Sequence, residues 1–97
     1  MMERDQSRQE ELSGRFRGAL IELGCVVPLD TSELVVEMID ANEAPLALEI
    51  LSEVLEERGE LIDERVGSSL ADLARTYFLG PEVESRLLGL CRPLADG

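Results

Sequence analysis

From Leu12 to Cys91 the apolar residues recur at steps of three and four, and nowhere do they alternate with period two over a useful length. Such spacing gathers apolar side chains on one face of a helix, so the pattern restricts the chain to packed helices. The first stripe is Leu12, Phe16, Ala19 and Leu23. Gly24 can end it in a left-handed conformation, and Pro28 disfavours helix at the residue before it. The apolar run Cys25-Val26-Val27-Pro28-Leu29 therefore reads as an extended connector lying against the bundle.

Asp30 followed by Glu33 resembles a capping box and predicts a second helix of about three turns, with Leu34, Val35, Met38 and Ile39 inward and Asn42 ending it. Pro45 suits the first turn of a third helix, whose buried positions are Ala47, Ile50, Leu51, Val54 and Leu55. Gly59 closes it. Asp63 reads as the N-cap of a fourth helix lined by Val66, Leu70, Leu73 and Tyr77. Gly80-Pro81 stops that helix and starts a fifth, from about Pro81 to Cys91, with Val83, Leu87, Leu90 and Cys91 inward. The expected fold is all-α, a compact and mostly antiparallel bundle of about five short helices. Residues 1–11 read as a polar, flexible lead, 12–91 as a single helical domain and 92–97 as a tail.

A chain of 97 residues with 44% apolar content supports one small core. Its aromatics are only Phe16, Tyr77 and Phe78, so Leu, Val, Ile and Ala must fill most of that core. Tyr77 and Phe78 are neighbours and point in different directions, with Tyr77 continuing the core stripe.

Charge is the second strong feature. The net value is −12, and the region 25–64 holds twelve carboxylates against the single Arg58, whereas the flanking regions are nearly balanced. Nucleic-acid affinity begins with Lys and Arg neutralising phosphates, so a surface this negative argues against direct DNA or RNA binding. On the second helix Glu33, Glu37 and Asp40 share a face; on the third, Glu49, Glu53, Glu56 and Glu60 do so, with Glu57 adjacent. Two adjacent helices of this kind could present one acidic surface. It reads either as a solvated face or as an electrostatic docking face for a basic protein. Arg58 sits near the end of the third helix, where a cation complements the helix C-terminus.

Catalytic readings start without a histidine, the commonest general base and a principal metal ligand. No EF-hand loop or ExxH pair is present, so neither a metal site nor a cofactor is expected. Cys25 and Cys91 lack zinc or redox spacing and read as reduced structural thiols. No signal-like apolar region or membrane-length run appears, which makes the cytoplasm the expected compartment and a membrane an unexpected partner.

The stretch Val35-Val36-Glu37-Met38-Ile39-Asp40-Ala41-Asn42-Glu43-Ala44-Pro45-Leu46-Ala47-Leu48-Glu49-Ile50-Leu51-Ser52-Glu53-Val54-Leu55 resembles the MafI-type small immunity proteins found beside secreted polymorphic toxins of bacteria. An acidic helix end, a small-residue turn and a leucine-rich helix of the form L-A-L-E-x-L-x-E-x-L carry the likeness, and short helices follow it from Leu61-Ile62-Asp63 to Phe78. The resemblance implies a non-enzymatic cytoplasmic antidote that binds its cognate toxin. A basic toxin would then meet Glu33, Glu37, Asp40, Glu49, Glu53, Glu56, Glu57 and Glu60. The alternative is a regulatory adaptor or self-associating interaction module; a homo-oligomer is possible but not predicted.

Overall fold

Residues suited to helix ends set most of the boundaries in the computed structural model, which describes residues 2–91. Five α-helices lie within them: α1 (Met2–Leu23), α2 (Leu29–Asp40), α3 (Ala44–Arg58), α4 (Glu64–Thr76) and α5 (Pro81–Gly89), with a short 3-10 turn at Gly24–Val26 after α1. The all-α class is as the periodicity predicts. Asp63 caps α4 by accepting the Arg65 amide at 2.9 Å. Gly59 ends α3 at φ 68°, donating to the Leu55 and Glu56 carbonyls, and Pro45 and Pro81 occupy the first turns of α3 and α5.

Three boundaries differ from expectation. The polar segment expected as a flexible lead is helical from Met2, because a helix seated on Leu12 and Phe16 extends through Glu, Arg and Gln at little cost. The Asp30 capping box does not form. The Ser32 amide bonds the Pro28 carbonyl at 2.9 Å, opening α2 at Leu29, and the Asp30 carboxylate accepts only from the next amide. Of the apolar connector, the start lies in the Gly24–Val26 3-10 turn and only Val27 and Pro28 keep an extended backbone; Val27 is buried, whereas Leu29, already in α2, is 74% exposed. The tail 92–97 and the side chain of Cys25 lie outside the described residues.

Short links fold α2 on α3 and α4 on α5 as two hairpins. Helix α1 packs against α4 and α2, while α3 also touches α5 and α4. Phe16, Leu48, Leu51, Leu55, Leu70, Leu73 and Leu87 are fully enclosed. With three neighbours, α3 buries a wider arc than its leucine pattern suggests: Ala44, Leu48 and Ser52 join Ala47, Leu51 and Leu55, while Ile50 and Val54 are only half-buried. On α2, Val35 and Ile39 are buried as expected, but Leu34 turns outward.

At the other end of the α4–α5 hairpin, the Ile62 amide donates to the Leu90 carbonyl at 2.8 Å, and Ile62 pairs with Cys91 in an isolated parallel bridge. Gly67 is buried beneath this contact. A Cβ there would stand 2.3 Å from Cys91 Sγ and 3.4 Å from Ile62 Cδ1, so the approach requires glycine while the thiol occupies its place.

Candidate protein-binding site

Helix α2 points Val35 and Ile39 into the core, which turns Glu33, Glu37 and Asp40 to solvent on the far side. On α3 the burial of Leu48 and Ser52 carries Glu49 to a half-buried position, leaving Glu53, Glu56, Glu57 and Glu60 exposed. Ion pairs then divide these eight carboxylates. Asp40 is paired with Arg17 of α1, Glu56 with Arg86 of α5 at 3.3 Å, and Glu60 with Arg58 at 3.1 Å. Among the described residues, Glu33, Glu37, Glu53 and Glu57 are exposed and have no cation within ion-pair distance, and half-buried Glu49 has none.

The paired groups lie toward neighbouring helices, Asp40 toward α1 and Glu56 toward α5. Of the eight, the exposed carboxylates left without a described cation partner are therefore Glu33 and Glu37 of α2 and Glu53 and Glu57 of α3. Exposed ion pairs contribute little stability each, but each one neutralises a carboxylate locally. The unpaired residues supply an undiminished negative field, which is the form of charge that attracts a basic protein over distances of about a Debye length.

Arg86 also ties α5 to α3. Its guanidinium donates to Ser52 Oγ at 3.0 Å, while the same fully buried hydroxyl donates to the Glu49 carbonyl at 2.8 Å. Sequence reasoning missed both partners, because Ser52 stands inside an acidic stripe and nothing marks it as buried. Replacing Arg86 with Ala should cost about 1–2 kcal/mol in a denaturant titration through the lost charged hydrogen bond and stem packing. An unchanged midpoint would show that the contact is not stabilising.

A second surface lies at the α2–α3 and α4–α5 turns. Helix α2 ends with Asn42 at φ 65°, the Glu43 amide reaching the Met38 carbonyl at 2.8 Å and the Asn42 amide reaching Ile39 at 3.1 Å. Helix α4 ends in the same pattern with Phe78 at φ 59°: the Leu79 amide bonds Ala74 at 3.0 Å and the Phe78 amide bonds Arg75 at 3.1 Å. Asparagine tolerates this left-handed position, but an aromatic residue there is strained. Phe78 is also 92% exposed. It stands on the rim of a groove of about 580 Å³ that is shared by both turns, Leu12 of α1 and the start of α3. Tyr77, half-buried as its place in the core stripe suggests, lines the groove too, and burial pushes its hydroxyl pKa up against the opposing charge of Arg15.

No group of three or more potential metal ligands occurs among the described residues, and none of their helices is long and apolar enough to cross a membrane. Burial pushes the Cys91 thiol pKa up, and Glu64 and Asp63 add to that shift, which disfavours the reactive thiolate. No family model, curated protein or solved structure matches this chain.

Proposed function

We propose that this chain is an immunity protein that binds a basic toxin domain and holds it inactive. The observation that carries the proposal is the exposed set Glu33, Glu37, Glu53 and Glu57, unpaired among the described residues, while six arginines elsewhere are committed to internal ion pairs. A toxin acting on nucleic acid needs a cationic channel for phosphates, and a carboxylate surface can occupy such a channel in place of the backbone. The sequence resemblance supplies the biological setting: protection of the producing cell and its kin. Inhibition on this reading is by occlusion and requires no turnover.

Electrostatic docking has a measurable signature. Changing both Glu37 and Glu53 to Arg should slow association with the toxin by about tenfold or more at low salt, with the helical circular dichroism and unfolding midpoint nearly unchanged. Added salt should weaken the native complex and narrow the gap to the variant. Co-expression of the native chain should rescue cells from the toxin encoded beside it, and the double variant should protect less. Rescue without any salt or charge dependence would retain the immunity role and remove the acidic face from it; absence of both binding and rescue would reject the proposal.

A further inference from the structure

We propose that the α2–α3 hairpin is a salt-sensitive element of the fold: like charge on its two helices opposes their packing, and screening of that charge closes them on each other. The distribution of ion pairs carries the inference. Arg17 of α1 pairs with Asp40 of α2, and Arg86 of α5 pairs with Glu56 of α3. Helices α1 and α4 are joined by Arg15 with Asp72 and by Glu22 with Arg65, and α4 and α5 by Arg75 with Glu84. Four helix contacts are thus bridged by opposite charge. Between α2 and α3, which pack closely on each other, the described residues form no ion pair.

The composition of the hairpin explains the difference. Helix α2 carries Asp30, Glu33, Glu37 and Asp40 with no cation, and α3 carries Glu49, Glu53, Glu56 and Glu57 with only Arg58, which pairs with Glu60. Helix α4, by contrast, balances Glu64 and Asp72 with Arg65 and Arg75. The arginines that reach the hairpin from outside, Arg17 and Arg86, come from α1 and α5, so neither draws α2 toward α3. Glu37 and Asp40 also stand in the last turn of α2, which holds no basic residue, and negative charge there opposes the helix dipole. The closing force is apolar: Val35 and Ile39 of α2 and Leu48 and Leu51 of α3 are buried in one cluster. Burial of this kind does not depend on charge, whereas the repulsion falls as the Debye length shortens.

A cationic protein seated on the acidic residues, as in the function proposed above, would act as salt does and favour the closed hairpin on binding. The test uses the full chain alone, so it can fail while toxin binding stands. Amide hydrogen exchange is followed residue by residue by NMR in sodium chloride at about 0.01 M, where the Debye length is about 30 Å, and at about 0.5 M. Exchange of the interior amides of α2 and α3 should slow by about tenfold or more as salt rises, and exchange in α4 and α5 by less than about threefold. In the double variant Glu37→Gln, Glu53→Gln the α2 and α3 amides should exchange more slowly than in the native chain at low salt, and the response to salt should shrink by about half or more. Equal slowing in all four helices overturns the proposal, because the opposition would then be spread over the whole bundle, and so does the absence of any slowing. A double variant that keeps the full response overturns it as well, since salt would then be acting on apolar burial.

Discussion

Replacing Phe16 with Ala should remove about 3–5 kcal/mol of folding stability, the usual range for emptying a fully enclosed aromatic site. For a domain of this size that is a large share of the total, about 5–15 kcal/mol. Phe16 is the only aromatic residue fully inside, and it belongs to α1, which reaches the bundle through Leu12, Phe16, Ala19, Leu20 and Leu23. Two outcomes are physically distinct. If α1 stays docked over the cavity, the denaturant midpoint falls and the slope of the transition is unchanged. If α1 detaches, the folded state exposes Leu12, Leu20 and Leu23, less surface remains to be uncovered, and the slope falls as well. A loss below about 1 kcal/mol with native slope would show that α1 is not an integral layer of the core.

Gly67→Ala should destabilise by about 1–3 kcal/mol, the cost of forcing a methyl group into a filled site. Its particular value is a predicted change of sign. The added Cβ meets Cys91 Sγ at 2.3 Å, but the next atoms, both of Ile62, stand at 3.4 and 3.6 Å. Once Cys91 is Ala, the new methyl fits close to ordinary contact, and Ala in place of Gly favours helix by about 1 kcal/mol. Gly67→Ala should therefore lower the unfolding midpoint in the native background and raise it in Cys91→Ala. A double-mutant cycle reads the coupling directly; additive effects would mean that the thiol is not what excludes the methyl.

Much of this architecture is legible in the chain because its signals are local. Asp63, Gly59, Pro45 and Gly80-Pro81 act within one turn of where they stand, and the stripes Leu12-Phe16-Ala19-Leu23 and Val66-Leu70-Leu73 report burial correctly. Where tertiary contacts decide, the local pattern falls short. The buried arc of α3 extends to Ser52 because Arg86, thirty-four residues later, reaches its hydroxyl. Asp30 loses the cap to a backbone bond from Ser32, and Leu34, one residue before buried Val35, is left exposed.

The candidate acidic site was readable as a set of residues but not as a set of free charges. Helical spacing places Glu33 and Glu37 together, and likewise Glu53 and Glu57, whereas only packing reveals that Asp40, Glu56 and Glu60 already have arginine partners. The groove had no comparable signal. Its walls come from the ends of α2 and α4, the start of α3 and the middle of α1, and the left-handed backbone of Phe78 is not what its residue type favours.

The bond from the Ile62 amide to the Leu90 carbonyl has a bearing on how the protein opens. It joins a residue two positions before α4 to the residue just after α5, so the two open ends of that hairpin are fastened together. The acidic α2–α3 hairpin has no described counterpart to this clasp. Brief excursions from the native state that loosen α2 and α3 can leave the α4–α5 unit latched, whereas exchange of the Ile62 amide with solvent requires that unit to part. The helices proposed to bind and the hairpin fastened at its open ends are thus separate structural units, so that α2 and α3 can loosen while the fastened pair holds its fold.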